Sequence, residues 1–259
     1  MAKHSHWDNI KHKKAANDAK KGKVISRMGK LITVAVQLGG PHLNENPRLR
    51  LAVEKARWSK MNMEAIERAI KKAAGLAGDG KTMSEVAYEG YAQGGVAVVV
   101  ATLTDNRTRT APEIKKLFER GGGSVGVPGC VSWQFKDKAV FLVDTASEDA
   151  VMEALLAGNA DAEDISPVEG ENGTQISVTA APTQFDAVLK ALAAAKLAVA
   201  SSDITKFPDN LIPVPTLETA KAVQELIDSL DDHEDVQNVF HNADFSAEIA
   251  AQLTGMADG

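Results

Sequence analysis

The sequence predicts an α+β protein of three domains: a small N-terminal helical domain and two α/β domains of the ferredoxin-like βαββαβ type, the last inserted into the middle one. A chain of 259 residues is long enough for three small domains. The hydrophobic period changes from helix-like to strand-like at a Gly- and Asp-rich break, residues 75–80. Residues 138–206 show a complete β-α-β-β-α-β pattern, so we interpret them as an insertion between 80–137 and 207–259.

The helical domain is predicted to cover residues 1–79. A Lys-rich helix is expected over 9–21, ending before a glycine. Asn46 followed by Pro47 is a typical helix start, and this helix should run to Trp58. Asn62 is expected to cap a fourth helix. Between the first and third helices, residues 24–38 carry an apolar stripe at helical spacing, made of Val24, Met28, Leu31, Ile32, Ala35 and Leu38.

The middle domain begins with two β-rich runs, 86–91 and 96–103, joined by a Gly-containing turn. Thr110-Ala-Pro-Glu113 has the pattern of a capping box and predicts a helix start. That helix should end at Arg120, where three glycines follow. The remaining elements of this domain are expected to be strands at 131–135 and 236–241 and a helix at 216–230.

The inserted domain is the most regular part of the pattern. Its expected elements are a strand at 140–143, a helix at 147–156, a hairpin of 165–169 with 175–179, a helix at 182–195 and a strand at 199–205. Ser147 is the expected N-cap of the first of these helices.

Charge is divided unevenly along the chain. Residues 1–72 contain 17 of the 29 Lys and Arg but only 6 of the 35 Asp and Glu. The rest of the chain is strongly acidic, and the whole carries a formal net charge of −6. A basic segment on an acidic body is typical of a protein that docks on a polyphosphate. The alternative interpretation is a solvated Lys-rich helical surface without a ligand.

The candidate nucleic-acid-binding residues combine cations with aromatic and imidazole rings, which can stack on unpaired bases. An alternative role for Trp7 is to anchor the first helix in a core. Two arginines precede a helix N-terminus, where they could bind phosphate or could instead pair with neighbouring acids in a structural turn. The candidates are His4, His6, Trp7, Lys11, His12, Lys13, Lys14, Lys20, Lys21, Lys23, Arg27, Lys30, Arg107 and Arg109.

Several classes of function are not expected. The chain has no Gly-rich phosphate loop, no G-x-S-x-G and no H-E-x-x-H pattern, so an enzyme is not predicted. One cysteine, Cys130, provides no disulfide or thiolate cluster, and we expect it to be buried and inert. The His-containing N-terminus suggests no physiological metal site, and no cofactor is predicted. Uncharged stretches reach only 15 residues and no secretory signal is evident, which indicates a cytoplasmic protein without a membrane partner.

Several motifs resemble those of the YebC family. They are His4-Ser-x-Trp7, Ile10-Lys-His-x-Lys14, Tyr88-Glu-Gly-Tyr91 before Gly94-Gly95-Val96-Ala97, and Leu103-Thr-Asp-Asn-Arg-x-Arg-Thr110. That family includes bacterial proteins labelled probable transcriptional regulators and the mitochondrial translational activator of cytochrome c oxidase. The resemblance implies three domains and cytoplasmic work on nucleic acid, either in transcription or in translation. The chain departs from the usual family pattern at Lys3, at His6 and at Ala92-Gln93.

Three functional hypotheses follow. The first is a translation factor associated with the ribosome, ribosomal RNA or mRNA, which binds through the basic helical domain while the acidic domains orient it. The second is a transcriptional regulator that binds duplex DNA, although the Lys-rich first helix lacks a set of Arg, Asn or Gln for base readout. The third is an acidic scaffold for protein interactions. None of the three involves a small-molecule substrate.

Overall fold

The computed structural model describes residues 21–75, 82–170 and 173–257. The predicted helix at 9–21 therefore lies almost wholly outside the described residues. The chain divides into two compact units. The first unit contains Met1–Gln134 and Pro208–Gly259, and the second is Phe135–Phe207.

Three helices form the start of the first unit: α1 (Lys21–Gly39), α2 (Pro47–Trp58) and α3 (Met63–Gly75). Helix α1 packs against both of the others, and a small apolar cluster that includes Ile32 and Leu49 lies between them. The side chain of Asn46 caps α2, as the sequence predicts, by accepting a hydrogen bond from the amide of Leu49. It also donates to two carbonyls at the end of α1, so the cap ties the two helices together.

The prediction for one end of the α1 stripe was wrong. Leu38 is 68% exposed, whereas Ile32 and Ala35 are buried. Leu38 lies in the last turn of α1, beyond Val36, the last residue of this helix that belongs to the apolar cluster with α2 and α3.

The rest of the first unit contains β1 (Ser84–Tyr91), β2 (Ala97–Thr104), α4 (Arg107–Arg120), β3 (Ser124–Val125), β8 (Ile212–Val214), α7 (Leu217–Asp231), β9 (Val236–His241), β10 (Ala243–Phe245) and α8 (Ala247–Ala257). Four of these strands form an antiparallel sheet with the order β3-β1-β2-β9. Helices α4 and α7 pack on one face of the sheet over a core that contains Val98, Val100, Ile114, Phe118 and Leu226. Strands β8 and β10 form a separate parallel pair.

The predicted strand at 131–135 is wrong. Residues Ser132–Gln134 form a short 3₁₀ turn, and the strand begins only at Phe135. The reason is that the amides of Val131 and Ser132 donate to the carboxylate of Glu89, so they cannot take part in a sheet ladder.

The predicted start of α4 is also wrong. The helix begins at Arg107, and its N-cap is Asn106, whose side chain accepts from the amide of Arg109. Thr110 lies inside the helix, and its buried hydroxyl bonds to Thr104 instead of capping. A local capping pattern was therefore overruled by a tertiary contact.

The second unit contains β4 (Phe135–Val143), α5 (Glu148–Ala157), β5 (Asp164–Gly170), β6 (Gly173–Ala180), α6 (Phe185–Ala194) and β7 (Val199–Pro208, which extends one residue beyond the unit). Its sheet has the strand order β5-β6-β4-β7. A separate apolar cluster, with Phe141, Ile176 and Leu192 fully buried, fills the space between this sheet and its two helices. Ser147 caps α5 as the sequence predicts.

Candidate nucleic-acid interface

Most of the candidate site lies outside the described residues. The described residues begin at Lys21, and the side chain of Lys21 itself is not described. The candidates affected are His4, His6, Trp7, Lys11, His12, Lys13, Lys14, Lys20 and Lys21. The five described candidates are Lys23, Arg27, Lys30, Arg107 and Arg109.

The described cations of α1 contact an acidic segment from the far end of the chain. Spacings of four and three residues place all three on one helix face. This face meets residues 231–235, which we call the acidic turn. Lys23 Nζ lies 2.7 Å from Oδ1 of Asp232, in an exposed pair. Arg27 donates to Oδ1 of Asp231 at 3.4 Å and also to the Asp231 carbonyl, and this pair is partly buried.

Asp235, the last residue of the acidic turn, is a buried charge that joins α1 to α4. Its side chain is only 1% exposed. Oδ1 accepts a hydrogen bond from Lys30 Nζ at 2.7 Å. Oδ2 accepts from Arg109 Nη2 at 2.7 Å and from the Thr110 hydroxyl at 2.8 Å. Burial raises the pKa of Asp235, but these hydrogen bonds outweigh burial and hold the pKa well below its ordinary value.

Arg109 is surrounded by acids. Besides Asp235, its Nη2 lies 3.3 Å from Glu234 and 3.7 Å from Asp105. The hydrogen bond to Asp235 is the main cause that raises the pKa of Arg109 above its ordinary value. Of the two alternatives for this loop, Arg109 thus adopts the one in which it pairs with neighbouring acids. Arg107 is exposed, and its binding of phosphate stays a prediction.

A histidine inside the acidic turn fixes the shape of the turn. Nδ1 of His233 accepts from the amide of Asp235 at 3.1 Å, and Nε2 lies 3.0 Å from Oε2 of Glu113 on α4. The turn is therefore attached to α4 as well as to α1. The sequence contains no local signal for this role, because Glu113 lies 120 residues before His233.

The Tyr88-Glu-Gly-Tyr91 motif shapes the turn before β4. Glu89 is almost fully buried, at 6% exposure. Its carboxylate accepts hydrogen bonds from the amides of Gly129 at 2.8 Å, Val131 at 2.9 Å and Ser132 at 2.8 Å. Burial raises the pKa of Glu89, but the amide donors outweigh burial and leave the pKa below its ordinary value. This part of the motif is thus explained by folding alone.

Cys130 lies in the same turn and is half-buried, not fully buried as predicted. Burial raises the pKa of its thiol, and the nearby Glu89 carboxylate raises it further. A raised pKa lowers the thiolate fraction at neutral pH, and the inertness of Cys130 stays a prediction.

A second group of exposed cations, absent from the sequence-based candidates, lies on α2, in the turn that follows it and on α3. Its members are Arg57, Lys60, Arg68, Lys71 and Lys72, which we call the outer face. All five are exposed. For the cations on α3, the sequence signal is their helical spacing relative to Ile66 and Ala73, which places them on the side of the helix opposite to these apolar residues.

Comparison with known proteins identifies the family. The model of the TACO1/YebC N-terminal domain matches residues 5–76, and the model of the TACO1/YebC second and third domain matches residues 83–243. This chain belongs to the TACO1/YebC family. A probable transcriptional regulatory protein of Chromohalobacter salexigens is 44% identical over 254 residues, which cover 98% of this chain and 100% of that protein. One of Dichelobacter nodosus with the same name is 45% identical over 250 residues, 96% of this chain and 99% of that one.

A solved structure supports the same assignment. The crystal structure of a conserved hypothetical protein from Aquifex aeolicus matches with a TM-score of 0.82 and 40% identity, over 95% of this chain and 99% of that one. The TACO1/YebC fold thus extends over nearly the whole chain. Within the described residues, no group of three or more His, Cys, Asp or Glu is arranged to hold a metal ion. The helices in that part of the chain are too short or too polar to span a membrane.

Proposed function

We propose that this TACO1/YebC protein is a nucleic-acid-binding regulator of gene expression that contacts its target through the helical domain. The observation that carries the proposal is the charge division, with 17 basic and 6 acidic residues in the first 72. Nucleic acid attracts such a segment and repels the acidic remainder, so only one end of the molecule can approach. The proposed regulator acts in the cytoplasm and catalyses no reaction.

Duplex DNA is the first candidate target. The relatives in Chromohalobacter salexigens and Dichelobacter nodosus are both named probable transcriptional regulatory proteins. These names favour transcription over translation as the regulated step. A cation-rich helical domain would hold DNA through its phosphates.

RNA, on the ribosome or as mRNA, is the second candidate, and the side chains of α2 favour it. Base readout in the major groove needs Arg, Asn or Gln with free donors. Of the three arginines on α2, Arg48 pairs with Glu85, and Arg50 donates to the carbonyls of Leu43 and Asn44. Of these three, only Arg57 has a side chain without a hydrogen-bond partner among the described residues. A surface that reads phosphates but not base edges suits structured RNA.

The test of the proposed function compares both polymers with the same protein. Fluorescence anisotropy should measure binding of a labelled 20-base-pair DNA duplex and of an RNA hairpin of equal length over a range of salt concentrations. A variant with Lys11, Lys13 and Lys14 changed to Glu should lose binding without unfolding either compact unit. A control with Lys115, Lys116 and Lys190 changed to Glu has the same change in net charge and should bind normally. Unchanged affinity in the first variant would refute this site, and no binding by the wild type would refute the function.

Preference between the polymers separates the two candidates. Tighter binding to the hairpin, together with co-sedimentation with ribosomes that high salt reverses, would support the RNA candidate. Tighter binding to the duplex, with the protein remaining at the top of the gradient, would support the DNA candidate. Because phosphate contacts dominate, log affinity should fall with log salt by about 0.7–0.9 per contact.

We also propose the three-domain division, with boundaries 1–79, 80–137 with 207–259, and 138–206. Three separate apolar clusters support it, one for each part. The strand order β5-β6-β4-β7 and the element order of the last part are those expected of a ferredoxin-like domain. Limited proteolysis should release a resistant fragment that begins near residue 135 and ends near 207. Cleavage within 138–206 before cleavage at its ends would contradict the division.

A further inference from the structure

We propose that the phosphate backbone of the nucleic acid docks on the outer face of helices α2 and α3, in addition to the N-terminal segment. The contacting groups are Arg57, Lys60, Arg68, Lys71 and Lys72. The cations of α1 that the sequence singled out, Lys23, Arg27 and Lys30, serve instead to attach the helical domain to the acidic turn. This inference rests on the proposed function, because it names where on the helical domain that function resides.

The first step is that the α1 cations are already neutralised. Lys30 bonds to the buried carboxylate of Asp235 and to the carbonyl of Glu234, at 2.7 and 2.9 Å. Arg27 is held by the side chain and the carbonyl of Asp231. A phosphate approaching these groups would have to displace carboxylates and would meet their negative charge. The α1 cations therefore contribute little to binding a polyanion.

The second step is the arrangement of cations on α3. Arg68, Lys71 and Lys72 follow the i, i+3, i+4 spacing that places side chains on one helix face. The buried residues of the same helix, Ile66 and Ala73, lie on the opposite side. The three cations therefore form a continuous row directed away from the helical core.

The third step is that α2 extends this row. Arg57 is exposed in the last turn of α2, and Lys60 follows in the turn that leads to α3, with a positive φ of 60°. Within the described part of the chain, Arg57, Lys60, Lys71 and Lys72 have no carboxylate partner. Arg68 donates through Nε to the carbonyl of Glu64, which leaves its terminal nitrogens available. The five cations thus extend from the α2–α3 connection to the last turn of α3.

The fourth step is the position of this face relative to the acidic turn. Helix α1 contacts α2 and α3 on one side and the acidic turn on the other. Packed helices are separated by about 8–10 Å, so the outer face lies more than one helix diameter from the acidic turn. The Debye length at physiological ionic strength is about 8 Å, so salt screens the repulsion between these acids and a phosphate on the outer face.

Charge complementarity therefore identifies a polyphosphate as the occupant of the outer face. The acids nearby are Glu64 and Glu67 on α3 and Glu54 on α2, which lies beside Arg57, so the five cations leave the face with a net positive charge. The contacts are with phosphate oxygens, so both duplex DNA and structured RNA can use the face.

The experiment uses the full-length protein with four exposed cations neutralised: Arg57→Gln, Lys60→Gln, Lys71→Gln and Lys72→Gln. The matched control neutralises four exposed lysines of the acidic part: Lys115→Gln, Lys116→Gln, Lys190→Gln and Lys196→Gln. Circular dichroism should show both variants folded, because all eight side chains are exposed. The probes are the fluorescein-labelled 20-base-pair duplex and the RNA hairpin. Each is titrated with protein at salt concentrations from about 50 to about 300 mM, a range that includes physiological ionic strength.

The outer-face variant should bind at least roughly 100-fold more weakly than the wild type at 0.1 M salt, and its log–log salt slope for the duplex should be smaller by about 3 to 4. The control variant should bind like the wild type. The single change Lys23→Gln should alter the affinity less than twofold, because Lys23 already pairs with Asp232.

Three results would overturn the inference: unchanged affinity of the outer-face variant, an equal loss in the control variant, or a tenfold loss from Lys23→Gln alone. Each of these outcomes requires a wild type that binds. A wild type that binds neither probe refutes the proposed function itself, so the two failures are distinguishable. A loss with the hairpin but not with the duplex supports the site and assigns it to RNA, and the reverse assigns it to DNA.

Discussion

Replacing Asp235 by Asn removes the negative charge at which α1, α4 and the acidic turn meet. The carboxylate accepts hydrogen bonds from Lys30, Arg109 and Thr110 at 2.7, 2.7 and 2.8 Å. An amide of the same size retains one acceptor oxygen, which the Thr110 hydroxyl can still use. The two cations, in contrast, lose their buried ionic partner. We expect the variant to fold with a weakened attachment of the helical domain.

The structure sets the expected magnitude. Removing one partner of a fully buried ion pair costs about 3–5 kcal/mol. Here the carboxylate side chain is 1% exposed, but Lys30 is 23% exposed and can recover hydration when its partner is lost. We therefore expect Asp235→Asn to lower the free energy of unfolding of the first unit by about 2–3 kcal/mol at pH 7.

The pH dependence has a definite sign. The pKa of Asp235 is lowered on folding, from an unfolded value of about 3.9. A group of this kind contributes stability that is fully present above the unfolded pKa and is lost as the pH falls through the folded pKa. The difference between wild type and variant should be constant from about pH 5 to 8 and should shrink below about pH 4.

The assay is urea unfolding followed by tryptophan fluorescence. The second unit contains no tryptophan, so the fluorescence signal does not come from that unit. The control is Glu225→Gln, which changes an exposed carboxylate on α7, the helix that ends at the first residue of the acidic turn. This substitution should change the free energy of unfolding by less than about 0.5 kcal/mol. A loss below about 0.5 kcal/mol for Asp235→Asn, or a difference that is undiminished at pH 3, would refute the reasoning.

Three further changes test neighbouring features by the same unfolding assay. Lys23→Gln removes the exposed pair with Asp232 and should cost less than about 1 kcal/mol, an effect that 1 M salt removes; a larger loss would show that the pair is not solvent-screened. Glu89→Gln should cost about 1–3 kcal/mol at pH 7, because a buried carboxylate with three amide donors is replaced; since the pKa of Glu89 is lowered on folding, this difference should shrink as the pH falls below about 4, and a difference that grows there would contradict the assigned sign. Asn46→Ala removes a buried cap with two additional hydrogen bonds and should cost about 2–3 kcal/mol, against about 1 kcal/mol for the exposed cap Asn62→Ala; equal losses would show that the bonds from Asn46 to α1 add nothing.

Elements with local signals were predictable. The helices that start at Asn46, Ser147 and Thr216 were found because a cap side chain and the apolar period lie within one short window. The strand expected at 131–135 failed for the opposite reason. Its amides bond to Glu89, more than forty residues away, and nothing in the local sequence indicates that partner.

The sequence by itself determined the helical and α/β segments, the family motifs and the excess of positive charge in the first 72 residues, because these depend on composition and local spacing. Only the tertiary structure decided which cations remain available to a phosphate. Lys23, Arg27 and Lys30 contact acids that are more than 200 residues away in the chain, whereas Arg57, Lys71 and Lys72 have no carboxylate partner among the described residues. Charge pairing depends on distance in space, and α1 and the acidic turn come close together only when the chain folds.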